Sequence, residues 1–141
     1  MKRPKQILVA LKTTEHAIEL ADLACRVGGH RASLVLMHVL ELPPATALNA
    51  DLPELDADAR LILNTAARVA KRSGMRVATV EVRARAAGKA LIEEMKERKI
   101  ELAVLGYHHH PRVEQILLGS VAQYVARHAP CQVLLRIPPR K

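Results

Sequence analysis

Five short apolar runs rich in β-branched residues alternate with four stretches of helical periodicity, and this rhythm restricts the fold more than any other feature of the chain. The first run, KQILVALK over residues 5–12, is almost continuously apolar, as expected of a strand buried on both faces of a parallel sheet. ASLVLMHVLE (32–41), MRVATVEVRA (75–84), IELAVLG (100–106) and CQVLLRI (131–137) read as four more strands. Between them the apolar period lengthens to that of a helix. The first helix starts at Thr13 or Thr14 and runs to Val27, with Ala17, Ile18, Ala21, Ala24 and Cys25 on one face. Thr14 is the better N-cap, and Gly28–Gly29 ends the helix. Further helices are expected from Glu54 to Ser73 (before Gly74), from Gly88 to Lys99, and over 120–129, where Pro130 breaks the last. The Pro-rich connection beginning at Leu42 is expected to be the most mobile segment.

Every strand-to-strand connection contains a helix, so the strands should be parallel and the crossovers right-handed. The expected fold is therefore α/β: a three-layer α/β/α, doubly wound open sheet of five parallel strands. At 141 residues the chain fits one domain, 1–141. Its core must be built from Val, Leu, Ile and Ala, because there is no Phe or Trp. In such sheets ligands bind beyond the C-terminal ends of the strands, where strand order reverses. Two strand ends carry small, polar or flexible residues: LKTTEH after the first and LGYHHH after the fourth.

The formal net charge of +8 favours anionic partners. The basic residues are scattered along the chain with no stacking aromatics among them, so nucleic-acid binding is not expected beyond a non-specific, salt-sensitive attraction. The N-terminal apolar segment ILVAL is only five residues long before Lys12, too short for a secretory signal, and no run approaches a membrane span. A cytoplasmic protein with two reduced packing thiols, Cys25 and Cys131, is the expectation.

GYHHHPRVEQILLGS (106–120) raises the question of function. Adjacent side chains diverge, so His108, His109 and His110 do not readily converge on one metal. His16, His38, His128 and the cysteines show no ligand spacing, and no metal site is expected. No G-x-S-x-G or H-E-x-x-H pattern proposes catalysis. A phosphate cradle fits better. Gly106 ends a strand and permits close backbone approach, Gly119 precedes a helix whose free N–H groups favour an anion, and Ser120 adds a hydroxyl at the N-cap position.

Over almost its full length the chain resembles a universal stress protein domain. Many members of that family bind ATP through G-x-x-G, nine residues, then G-[ST]; here Gly106, two residues, His109, nine residues and Gly119–Ser120 keep that spacing. LLGSVAQYVARHAPCQVLLRI resembles the family's last helix and strand, and KQILVALKTTEHA its first strand and turn. The resemblance implies a strand order of 3-2-1-4-5 and an adenine nucleotide, ATP, ADP or AMP, with Mg²⁺ accompanying the phosphates. It assigns phosphate contacts to Gly106, His108, Gly119 and Ser120, followed by Val121 and Ala122 in the helix's first turn. It assigns the adenine slot to Val39, Leu105 and Ala10, with Leu11, Lys12 and Thr13 in the strand-one turn. Two positions depart from the family pattern. Lys12 stands where an Asp is usual and can donate but not accept, and His109 replaces a glycine. These changes predict a weakened or altered site. The implied role is a nucleotide-responsive regulator with slow ATP hydrolysis at most. The alternative is a nucleotide-independent dimeric adaptor, paired through the final strand 131–137 and acting on a protein partner such as a membrane transporter.

Overall fold

The computed structural model describes residues 2–107 and 119–139. Its elements run β1 (Gln6–Ala10), α1 (Thr14–Val27), β2 (Ser33–Glu41), α2 (Pro53–Arg72), β3 (Arg76–Ala84), α3 (Ala87–Glu97), β4 (Leu102–Gly106), α4 (Ser120–His128) and β5 (Gln132–Arg136). All five strands are parallel, in the order β3-β2-β1-β4-β5. The expected sheet is present, with helices on both faces. On β1 the two-residue period sorts Ile7 and Val9 toward α1 and α2, and Leu8 toward α3 and α4. All three are fully buried, which is why this strand reads as an unbroken apolar run.

Several boundaries differ from the sequence reading, each for a local reason. β1 stops at Ala10; Leu11 leaves the strand but stays anchored to β2. Its N–H donates to the Met37 carbonyl (2.8 Å), and its carbonyl accepts from Nδ1 of the buried His38 (2.8 Å). The N-cap of α1 is Thr13, not Thr14, and its side chain makes no capping hydrogen bond. α2 begins one residue early, at Pro53, whose missing N–H costs nothing in a first helical turn. Gly28 ends α1 in an extended conformation rather than a left-handed one; glycine is needed because a Cβ would lie 3.1 Å from Ile7 Cδ1 and from the Ala24 carbonyl. Gly74 is the glycine that does turn with positive φ (77°).

The connection after β2, expected to be mobile, is tied down by two arginines of the edge strand β3 and the residue that follows it. Arg83 donates to the carbonyls of Leu48 and Ala50 and forms a two-pronged pair with Asp56 at 3.0 and 3.1 Å. Arg85, just past the strand end, donates to the carbonyls of Pro43 and Thr46. The two are alternate residues, so they project to the same side.

Topology also sorts the charges that looked scattered in sequence. Every helix runs antiparallel to the strands, so all four C-termini lie at the end of the sheet where strands begin. Their last turns carry Arg26, Lys71 and Arg72, Lys96, and Arg127 with His128. The exposed Lys2, Arg3, Lys5, Arg31 and Arg76 join them there. Basic side chains at helix C-termini are matched to the dipole. Both cysteines are free, and burial pushes each thiol's pKa up, which keeps it protonated at neutral pH. No helix among the described residues is long and apolar enough to cross a membrane.

Candidate functional site

At the opposite end of the sheet, β1 lies between β2 and β4, and the chain departs to opposite sides from there: β2 and β3 on one flank, β4 and β5 on the other. The crevice at this reversal is a cavity of about 420 Å³. Its floor is apolar, formed by Ala10, Leu20, Met37, Leu91 and Leu105. Leu20 fits beneath the end of β4 because Gly106 has no side chain; a Cβ there would stand 3.1 Å from Leu20 Cδ1.

The rim carries the polar groups. Gly119 is the N-cap of α4 and Ser120 its first residue, one position later than the sequence reading placed it. The first intrahelical bond runs from the Gln123 N–H to the Gly119 carbonyl (3.0 Å). The N–H groups of Ser120, Val121 and Ala122 therefore have no carbonyl within the helix, and all three residues line the cavity. Such a helix end is a ready donor set for an anion. Gly119 is exposed, and a Cβ on it would meet nothing within 4 Å.

Across the opening sits the β1–α1 turn. Lys12 is exposed and forms no ion pair among the described residues. The Thr13 hydroxyl is buried and has no hydrogen-bond partner among the described residues. Leaving a buried hydroxyl unpaired costs about 1–3 kcal/mol, a strain that a bound ligand could relieve. Replacement by the isosteric valine tests this directly. Thr13→Val should keep or raise the melting temperature while weakening nucleotide affinity about five- to tenfold, since one neutral hydrogen bond is lost. Calorimetric titration beside thermal melting separates the two effects; a variant that binds as tightly as the parent removes Thr13 from the site.

The cavity gathers Ala10, Leu11, Lys12, Thr13, Val39, Leu105, Gly106, Gly119, Ser120, Val121 and Ala122, all singled out from sequence. His108 and His109, singled out with them, lie outside the described residues, as does His110. Sequence reasoning missed His16, Leu20, Met37, Glu41, Ala87, Leu91 and Tyr107. His16 lies 3.8 Å from Glu19, a helical neighbour three residues on. Glu41, at the end of β2, accepts a hydrogen bond from the Ala87 N–H (2.7 Å) and so caps α3 from outside that helix.

This arrangement meets the known proteins at one place. The profile of the universal stress protein family matches residues 4–136. The chain belongs to that family. A universal stress protein of Methanocaldococcus jannaschii is 27% identical over 139 residues, covering 94% of this chain and 78% of the relative. Among solved structures, the universal stress protein of Archaeoglobus fulgidus in complex with dAMP is 20% identical, with a TM-score of 0.66 over 95% of this chain and 98% of that one. An AMP-bound universal stress protein from Arabidopsis thaliana is 16% identical, with a TM-score of 0.64 over 96% and 93%. At these identities the structural likeness establishes the shared universal stress fold, including the 3-2-1-4-5 sheet.

Proposed function

We propose that the cavity binds an adenine nucleotide, ATP, ADP or AMP, and that the protein is a nucleotide-responsive regulator working in the cytoplasm. The observation that carries this reading is the open N-terminus of α4. Three backbone donors with no helical acceptor line a cavity at the reversal of strand order, opposite a threonine hydroxyl that has no partner among the described residues. The apolar floor suits a purine ring, and the donors suit phosphate. Gly106, Gly119, Ser120, Val121 and Ala122 would hold the phosphate end, with Ala10, Val39 and Leu105 against the base. Lys12, which cannot accept a hydrogen bond, is free to approach the anion. Relatives solved with dAMP and AMP support the same ligand class. Mg²⁺ would arrive on the phosphates of ATP. Among the described residues no group of three His, Cys, Asp or Glu side chains forms a cage for it.

β5 is an edge strand, and Val133 and Ile137, in it and just beyond it, are 37% and 39% exposed. An apolar edge of this kind favours pairing with a second copy, so a homodimer through 131–137 is part of the proposal. It would equally serve an adaptor that ignores nucleotides.

Thermal unfolding decides between the two roles. With ligand at about 100 times its dissociation constant, linkage adds about 2.7 kcal/mol, or roughly 5–10 °C for a domain of this size. Mg·ATP or AMP should give a saturable rise and Mg·GTP a smaller one. No shift with any nucleotide at millimolar concentration would leave the adaptor as the function.

A further inference from the structure

Three helix N-termini border the cavity, those of α1 at Thr13, α3 at Ala87 and α4 at Ser120, and the last two are not equivalent. At α4 the donors are open. At α3 the Ala87 N–H is already taken by Oε2 of Glu41 at 2.7 Å. A carboxylate placed there complements the positive end of the helix dipole. An anionic ligand group thus meets a carboxylate at α3 and open donors at α4.

Glu41 is also the one Asp or Glu among the described residues that line the cavity. It stands two positions beyond Val39, so both project from the same face of β2. Its Oε1 has no partner among the described residues. Since Lys12 supplies no acceptor at the β1 turn, this oxygen is the acidic acceptor available to a ligand. It also lies far from the phosphate end. β2 is separated from β4 by β1, so the ends of β2 and β4 are about 10 Å apart, two strand spacings. A group bound at α4 by its phosphate reaches β2 with its base, whereas its ribose remains nearer β1.

We infer that Glu41 reads the base, accepting a hydrogen bond from an exocyclic amine and so selecting 6-amino purine nucleotides over 6-oxo ones. This rests on the proposal that the cavity holds a nucleotide. Adenine offers its 6-amino hydrogens to the free oxygen. Glu41 is exposed in the free protein, and a hypoxanthine laid over it would displace water and set its carbonyl oxygen against this oxygen, acceptor against acceptor. A polar mismatch of that kind discriminates by about tenfold or more.

The test compares AMP with IMP, which exchange a 6-amino for a 6-oxo group on the base, on the full chain and its Glu41→Gln variant. In the variant the amide oxygen keeps the bond from Ala87 N–H, so α3 stays capped and the melting temperature should move little. That orientation turns the amide nitrogen, a donor, toward the ligand. The parent protein should prefer AMP by about tenfold or more, and the variant should show equal affinities or prefer IMP. Equal affinities in the parent, or a preference for AMP that survives unchanged in Glu41→Gln, would overturn the inference and leave nucleotide binding standing. A parent that binds neither nucleotide at millimolar concentration overturns both. Titration with 3′-deoxy-AMP closes the remaining route: if Glu41→Gln erases discrimination against that analogue and not against IMP, the carboxylate reads the sugar and the base assignment is wrong.

Discussion

Gly119→Asp should abolish useful nucleotide binding, lowering affinity for AMP or Mg·ATP by about a hundredfold while the protein stays folded. The N-cap position faces open space, with nothing within 4 Å of where a Cβ would stand, and its φ of −64° suits any residue. Aspartate there does two things. Its carboxylate accepts from the free N–H groups of α4, occupying the donors intended for phosphate. It also places a negative charge where the ligand's charge must go. At about 4 Å and an effective dielectric of about 20, like charges repel by about 4 kcal/mol. Because Gly119 is exposed, part of this is screened, and the hundredfold loss corresponds to about 2.7 kcal/mol. The same carboxylate is a good helix cap, so the melting temperature without ligand should hold or rise. Gly119→Ala is the control: it adds a side chain without charge and should bind nearly as the parent does. Calorimetric titration of the three proteins reads the effect, and unchanged affinity in the aspartate variant would remove α4 from the ligand site.

A marked loss of stability is expected on filling Gly88. This residue is buried in α3 against Tyr124 of α4; a Cβ on it would lie 2.9 Å from Tyr124 Cδ1 and 3.1 Å from Cβ and Cγ. The tyrosine Cβ is fixed to its backbone, so rotating the ring cannot relieve the contact and α4 itself must move. Gly88→Val should therefore cost about 2–3 kcal/mol, lowering the melting temperature by roughly 6–12 °C. Alanine at this position gains about 1 kcal/mol of helix propensity against the same clash, so it should be milder. Tyr124→Ala removes Cγ and Cδ1 and should recover part of the loss in the double variant, which a double-mutant cycle measures. Because α4 carries the free donors, Gly88→Val should also weaken nucleotide binding. A Gly88→Val protein as stable as the parent would show that the helices are not seated this closely.

The fold was legible in sequence because a parallel sheet imposes long-range order through a local signal. Ile7, Leu8 and Val9 must all be apolar when both faces are covered, and the helices between strands announce themselves by period. Half of the site was legible for the same reason: the β1 turn and the start of α4 are marked by glycines, threonines and a serine at strand and helix ends. The other half was not. Glu41 meets Ala87 across 46 residues, a contact created when β3 pairs with β2 and α3 crosses back over the sheet. No spacing in the chain encodes it. Leu20 and Met37 read as ordinary core positions, which they also are. Thr14 reads as the better N-cap, yet Thr13 takes the position with its hydroxyl unused, which two adjacent threonines of the same capping preference do not reveal. Arg83 and Arg85 could have been read: alternate cations on an edge strand and at its end, facing a connection full of carbonyls.

The gathering of basic side chains at the helix C-termini separates what the protein attracts from what it holds. Any large anionic surface would be attracted to that end first, which would leave the cavity pointing away from it. A small anion is drawn toward the same end, and reaches the cavity only by passing within a Debye length, about 8 Å at physiological ionic strength, of the α4 donors. Added salt should therefore weaken the long-range pull of that end more than the short hydrogen bonds that hold a ligand in the cavity.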